Sequence, residues 1–334
     1  MIKIIAKYEE IDKAQWSNLL YNRSDVASFF QSPEAYELYE PFNWAESVMV
    51  GVTEGDLLTG IVVATLLHEG GGIVSHLTSR AIINGGPLLD RNISKEALSS
   101  LLSATINVLK KRCIYIETRN FNDYSSWRTI FEKSGFVYQP HYNLHIDTTN
   151  PEQIEKHLSR SRRYEIKQSF KEGAYIDQHT DCLPDFYNIL QNLYQNKIHV
   201  PLFPFPFFQH LSQQSYCRMF FVHDANGRVI GGLVTVLLDN KVVYEWYCCG
   251  LDYEYKKIHP SVLASYSGIK YAADNGYPIF DMMGAGSPND GGYGVRDFKA
   301  QFGGQLVEHG RFLFLCNPII YKAAKWALGI RKKL

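Results

Sequence analysis

One order of strand-like and helix-like stretches is written twice along this 334-residue chain, and that repetition constrains the fold more than any single motif. In the first half, strand-like runs at 47–53, 57–67 and 72–83 are separated by Glu54-Gly55-Asp56 and Gly70-Gly71-Gly72. A helix over 94–111 follows, with Ser94 as its cap and Leu98, Leu101, Leu102, Thr105, Ile106 and Leu109 at helical spacing. A strand at 113–117, a helix at 124–134 stopping at Gly135, and a strand at 136–146 complete the unit. The second half repeats it, with strands at 217–223, 228–238 and 241–249 around the turn pairs Asn226-Gly227 and Asp239-Asn240. Then come a helix at 260–275, a strand at 278–283, a helix at 293–302, two glycines and a strand at 305–315. A short helix at 33–41 enters through Ser32-Pro33, and helices at 152–172, 183–197 and 205–213 link the halves. The pattern predicts a tandem duplication of α/β (α+β) domains with mixed, largely antiparallel sheets, divided as 1–150 and 151–334.

Length agrees, since 334 residues suit two cores of about 150 residues each. Residues 1–150 carry 13 Lys and Arg against 17 Asp and Glu, and the remainder carries 21 against 17, so the second half is the basic one. Six cysteines without a C-x-x-C pair or a ligand-like histidine spacing predict a reducing compartment and no metal. No apolar run approaches the ~18 residues of a membrane span, and Tyr8-Glu9-Glu10 interrupts the amino-terminal apolar stretch. The expectation is a soluble cytoplasmic protein not exported by a cleaved signal. H-E-x-x-H, Walker A and G-x-S-x-G sequences are all missing.

Two segments carry candidate binding chemistry. Arg160, Arg163, Lys167 and Lys171 recur at spacings of three and four, which aligns four cations on one helix face, with Ile166 and Phe170 on another. Such a stripe attracts phosphate, whether of a nucleotide-linked precursor or an RNA backbone; the plainer reading is a solvated face partly neutralised by Glu165 and Glu172. Near the other end runs Asp281-Met282-Met283-Gly284-Ala285-Gly286-Ser287-Pro288, continuing through Gly291-Gly292-Tyr293-Gly294 to Phe298-Lys299-Ala300-Gln301-Phe302-Gly303-Gly304. Glycines at 284, 286, 291, 292 and 294 permit close backbone approach to a ligand, or simply a turn.

The meander, helix, strand, helix, strand order is that of GNAT-type acyltransferase folds. Together with the basic segment from Ser159 to Gly173 and the Phe-Lys-x-x-Phe-Gly turn, the sequence resembles the Fem (FemABX) family of aminoacyltransferases. Asn84-Gly85-Gly86-Pro87-Leu88 is similar to that family's first-domain loop, and Asn317-Pro318 with Tyr321 to its final segment. The resemblance implies two GNAT-like domains with a cleft between them. It further implies transfer of an amino acid from aminoacyl-tRNA to an amine of a peptidoglycan precursor, without a tightly bound cofactor or metal. Two departures stand out: residues 178–216 leave no room for the long helical-hairpin arm of some members, and an acyl-CoA pyrophosphate loop of the R/Q-x-x-G-x-G/A type is missing. The donor is therefore left as aminoacyl-tRNA or acyl-CoA.

By this resemblance Lys299 is the candidate catalytic cation, flanked by Phe298, and Arg160, Arg163, Lys167, Lys171, Asp281, Gly284, Gly286 and Tyr293 are candidate substrate contacts. Aminolysis of an ester or thioester builds negative charge on the carbonyl oxygen, which a desolvated cation stabilises. Asp281, Glu245, Asp297 and Glu117 are candidate bases for the attacking amine, none with a diagnostic partner in the sequence, and a phosphate of the substrate is the alternative proton acceptor. The expected acceptor is a cell-envelope precursor, a peptidoglycan peptide or a polysaccharide- or lipid-linked amino sugar. Alternatives are an acyl-CoA-dependent N-acyltransferase of exopolysaccharide synthesis and a non-catalytic binding module for a nucleotide-linked sugar or peptide. The basic amphipathic carboxy-terminal helix fits either packing on the second domain or peripheral contact with an inner membrane face.

Overall fold

The computed structural model describes residues 1–68, 78–289 and 294–331. They form two compact units, Met1–His141 with Glu308–Leu334, and Tyr142–Val307. The strands of the first are β1 (Ile2–Ile5), β2 (Ala45–Glu54), β3 (Leu57–Leu67), β4 (Arg80–Gly85), β5 (Leu88–Leu89), β6 (Tyr115–Asn120) and β7 (Val137–Gln139). Those of the second are β8 (Tyr142–Asp147), β9 (Tyr175–Asp177), β10 (Cys217–His223), β11 (Val229–Leu238), β12 (Val242–Gly250), β13 (Ile279–Gly284) and β14 (Gln305–Glu308), while β15 (Arg311–Leu315) returns to the first sheet.

The two sheets share one topology. The first runs β1-β2-β3-β4-β6-β15-β7, with β5 beside β3, and the second runs β9-β10-β11-β12-β13-β8-β14. Each begins with four antiparallel strands and takes one parallel step, β4 to β6 or β12 to β13. The sixth place in each sheet is then filled from the other half of the chain. β15 lies between β6 and β7, and β8 between β13 and β14.

This exchange corrects two expected strands. The 136–146 stretch is not one strand but β7 and β8, broken at Pro140-His141, where proline offers no N–H to a ladder. The 305–315 stretch is β14 and β15, broken at His309-Gly310; Gly310 has φ of +66°, and a Cβ there would stand 2.3 Å from the Tyr138 ring. Both the division of the chain and its tail differ from expectation accordingly. The helix Pro318–Arg331 belongs to the first unit rather than the second, with the Tyr321 ring edge-on to Tyr115 at 5.4 Å.

Most other elements follow the local signals. Ser94 Oγ accepts from the Ala97 amide at 3.1 Å, and the helix Lys95–Leu109 buries Leu98, Leu101, Leu102 and Leu109 against Val52, Val62 and Ile116. In the second unit the helix Pro260–Asp274 packs Leu263, Ala264 and Ile269 among Leu233 and Phe280. It lies so close that a Cβ on Gly268 would meet Leu233 at 2.5 Å and Phe280 at 2.6 Å. The expected helix at 33–41 contracts to Pro33–Glu37, and that at 152–172 breaks at the extended Leu158 into Ile154–His157 and Arg160–Lys171. Of the expected strand 72–83, residues 72–77 lie outside the described residues.

Candidate active site

In the first unit the parallel step stays paired over five residues, from Ala81 with Ile116 to Gly85 with Asn120. In the second, β12 and β13 pair only from Val242 with Ile279 to Tyr244 with Asp281, after which the strands part. Two irregularities sit at the parting. A register shift between Val234 and Thr235 makes Trp246 an extra residue on β12, next to Glu245. Across it, a shift between Asp281 and Gly284 bulges β13 at Met283, whose φ of +57° puts a non-glycine residue in the left-handed region.

Lys299 occupies this break. It projects from the helix Gly294–Ala300, donates to the Met282 carbonyl, and donates to the Gly284 carbonyl at 3.1 Å. Its Nζ also lies 3.8 Å from Glu245 Oε1, with only 11% of the lysine and 5% of the glutamate side chain exposed. Burial raises the Glu245 carboxyl above its ordinary value, and the Lys299 ammonium opposes that in part. Glu245 Oε2 is buried without a hydrogen-bond partner among the described residues. The net direction makes this carboxylate bind a proton more readily than an ordinary glutamate does.

The helix that carries Lys299 is held by an arginine. The Arg162 guanidinium lies over the Phe298 ring at 4.4 Å and the Phe302 ring at 5.2 Å, and donates to the Phe298 carbonyl at 3.2 Å and to Glu165. Phe302 is 1% exposed. After it the chain passes against the residues preceding the basic helix, where a Cβ on Gly303 would lie 2.0 Å from the His157 carbonyl oxygen and one on Gly304 would lie 2.3 Å from Leu144. Gly303 also has φ of +84°. The Phe-Gly-Gly turn is therefore required by packing beneath the site.

Asp281 is buried on β13, accepting from the Met283 amide at 2.6 Å and facing His145 Nε2 at 3.4 Å. Burial pushes the His145 imidazolium toward lower pKa, but the Asp281 carboxylate outweighs it and the net shift is upward. Cys248, on β12 beyond the bulge, is pushed above the ordinary thiol range by burial, and its Sγ lies 3.5 Å from Ser265 Oγ. Such a thiol is poorly suited to act as a nucleophile.

Residues 209–328 match the family model described as FemAB family, a span that contains Glu245, Asp281, Phe298, Lys299 and Phe302. That carboxy-terminal part of the chain is similar to the FemAB family. The fold of the chain is similar to that of "Crystal structure of FemX" with a TM-score of 0.72 over 96% of this chain and 99% of that chain, at 14% identity. It is also similar to a tandem GNAT protein from the clavulanic acid biosynthesis pathway, with a TM-score of 0.62 over 95% and 99% of the two chains at 9% identity. A GCN5-related N-acetyltransferase from Sphaerobacter thermophilus gives 0.55 over 95% and 96% at 10% identity. At such identities the likeness establishes the fold, a pair of GNAT-type units. No curated protein matches the chain in sequence.

Within this fold the expected site residues separate into groups. Lys299, Phe298, Asp281, Gly284 and Glu245 come together around the β12 and β13 parting. Gly286 is buried at φ of +80°, and its carbonyl accepts from the Tyr142 amide at 2.8 Å, so it shapes the loop. Tyr293, with Gly291 and Gly292, lies outside the described residues. Arg160, Arg163, Lys167 and Lys171 are all exposed on the helix Arg160–Lys171, as the spacing predicts for a stripe. Two of the four candidate bases fall elsewhere. Asp297 is exposed, and Glu117 belongs to the first unit, where burial raises its carboxyl but Arg119 at 2.7 Å and Arg311 at 3.1 Å prevail and hold it low.

Three residues of the site escaped the sequence reading. Arg162 sits inside the basic run but off the counted stripe, and only its aromatic partners single it out. His145 comes from the exchanged strand β8, paired opposite Asp281. Arg296, which donates to the Ala285 carbonyl at 2.9 Å and to the Ser287 carbonyl, ties the glycine-containing loop to the Lys299 helix.

Proposed function

We propose that this chain transfers an aminoacyl or acyl group from an ester or thioester donor onto an amine. The observation that carries this reading is the buried Glu245 and Lys299 pair at the break between β12 and β13, within the span matched by the FemAB family model. In the proposed step the Glu245 carboxylate takes a proton from the acceptor ammonium, whose freed nitrogen attacks the donor carbonyl carbon. Lys299 stabilises the charge that develops on the carbonyl oxygen. The tetrahedral centre then collapses to the amide, the donor C–O or C–S bond breaks, and the leaving group takes up a proton. Arg162, Phe298 and Phe302 position the lysine and exclude water.

The acceptor we infer is an amine of a cell-envelope precursor, a peptidoglycan peptide or a polysaccharide- or lipid-linked amino sugar. The exposed stripe Arg160, Arg163, Lys167 and Lys171 supports phosphate recognition, either of a nucleotide-linked acceptor or of a tRNA donor. Asp281, Gly284, Gly286 and Tyr293 complete the proposed contacts. No helix among the described residues is long and apolar enough to cross a membrane. Peripheral contact is supported by Ile319 and Trp326 on the last helix, which expose 81% and 72% of their surface.

A second reading rests on the same lysine. Its ammonium already faces two carbonyls and a carboxylate, which suits a residue that braces a binding site without chemistry. Incubating the purified chain with labelled acetyl-CoA and, separately, with charged tRNA, each beside an amine-bearing peptidoglycan peptide, separates the readings. Label passing to the peptide supports transfer and names the donor; a folded chain that binds the peptide and transfers from neither donor supports the binding module.

A further inference from the structure

At the edge of the second sheet, well separated in sequence from the Lys299 cluster, three ligand-type side chains converge: Asp177 from the end of β9, Cys182 from the Thr180–Cys182 turn, and His223 from the end of β10. One carboxylate oxygen, the cysteine Sγ and a ring nitrogen all lie within 4.8 Å of one another. His223 Nε2 is 3.0 Å from Asp177 Oδ2 and 3.9 Å from Cys182 Sγ. The imidazole is 3% exposed and lies flat beneath the Tyr175 ring at 4.6 Å.

The arrangement differs from a proton relay in one decisive way. In a relay of cysteine, histidine and aspartate, the thiol and the carboxylate address opposite ring nitrogens. Here both address Nε2, while Nδ1 faces the Gly227 carbonyl at 3.2 Å. A histidine whose Nδ1–H is given to a backbone carbonyl presents its Nε2 lone pair outward, which is the orientation that metal-binding histidines take. In that tautomer the Nε2 lone pair meets a carboxylate and a thiol sulfur, an assembly that a cation between them reconciles.

We propose that Asp177, Cys182 and His223 bind a zinc ion. Sulfur, nitrogen and carboxylate donors suit zinc, whereas calcium and magnesium prefer oxygen alone. Bonds of about 2.0–2.3 Å around a tetrahedral ion separate the ligand atoms by about 3.3–3.8 Å, between the 3.0 Å from His223 to Asp177 and the 3.9 Å from His223 to Cys182. Three protein ligands leave a fourth position for water or an added ligand. Asp177 also lines an open cavity of about 290 Å³ with Ile176, Gln178 and Tyr271. The ion ties the three-residue edge strand β9 to β10 and to the turn that starts the helix Leu183–Leu193. Individual sequence spacings gave no hint of it, because the fold assembles the set from three separate elements.

Titrating the chelator-treated full chain with Co2+ tests the proposal. The expected result is one ion per chain, with visible bands of a tetrahedral site and a thiolate-to-cobalt charge-transfer band, all displaced by Zn2+. Cys182→Ser should abolish the charge-transfer band, Asp177→Asn should weaken binding about tenfold or more, and Cys316→Ser should leave both unchanged. Absence of binding by the folded chain, an octahedral spectrum, or a charge-transfer band that survives Cys182→Ser would each overturn it, leaving a His223 and Asp177 ion pair.

Discussion

Replacing Lys299 with methionine keeps the length of the side chain and removes its charge, leaving Glu245 buried without its cation. Unit charges 3.8 Å apart attract by about 4 kcal/mol at an effective dielectric near 20. Removing one member of a buried pair typically costs about 3–5 kcal/mol, and the two figures agree. The cost depends on pH in a defined direction. Glu245 has a folded pKa above its ordinary value, so its favourable contribution is fully present below the unfolded pKa of about 4.3 and is lost as pH rises through the folded value. Without Lys299 the folded value climbs further, so Lys299→Met is most destabilised at pH 8 and recovers as pH falls and Glu245 takes up a proton. Urea unfolding followed by tryptophan fluorescence at pH 8 and at lower pH values measures this. The double variant Lys299→Met with Glu245→Gln should regain about 2 kcal/mol or more at pH 8. A single variant within 0.5 kcal/mol of the parent at pH 8, or a double variant no more stable than Lys299→Met, would refute the pairing.

Gly303→Ala forces a Cβ to within 2.0 Å of the His157 carbonyl oxygen at a left-handed φ, so the variant should accumulate as insoluble protein, measured as the soluble fraction on expression. Phe302→Ala empties a fully buried ring site under Arg162 and should cost about 3–5 kcal/mol in urea unfolding. His145→Gln removes an imidazole whose folded pKa Asp281 holds above its ordinary 6.5; its stabilisation is present below about pH 6.5 and lost as pH rises through the folded value. The gap between parent and variant unfolding midpoints should therefore narrow from pH 5.5 to pH 8.5. Exchanging Arg160, Lys167 and Lys171 for alanine should leave the unfolding midpoint within about 0.5 kcal/mol while weakening acceptor or donor binding and its salt dependence, read by titration at two ionic strengths.

The repeated order of elements was legible because turn pairs, caps and hydrophobic periodicity are local signals. Asn226-Gly227, Ser94 and the apolar face of 95–109 all act within a few residues. Which sheet a strand joins is a long-range choice that no local signal encodes. Both exchanged strands nonetheless left a mark, Pro140 on one side and Gly310 on the other, each breaking what reads as a single strand. At the site, the Phe298 to Gly304 run was legible as a motif, and Glu245 and Asp281 were two of four candidate carboxylates. Burial made the separation, because a carboxylate between two arginines, as Glu117 is, and one facing a lysine in a dry break differ only in three dimensions. Arg162 carries no local signal of its role, because a cationic helix face marks exposed positions, whereas its guanidinium is buried against two aromatic rings.

Transfer by the Lys299→Ala chain, assayed beside its affinity for the acceptor peptide, bears most directly on the proposed chemistry. If the lysine ammonium steadies the oxygen of the reacting carbonyl, single-turnover transfer should fall by about a hundredfold or more while the peptide dissociation constant changes less than about threefold. A correctly folded Lys299→Ala chain that transfers at the parental rate, or loses peptide binding in proportion to rate, would contradict it.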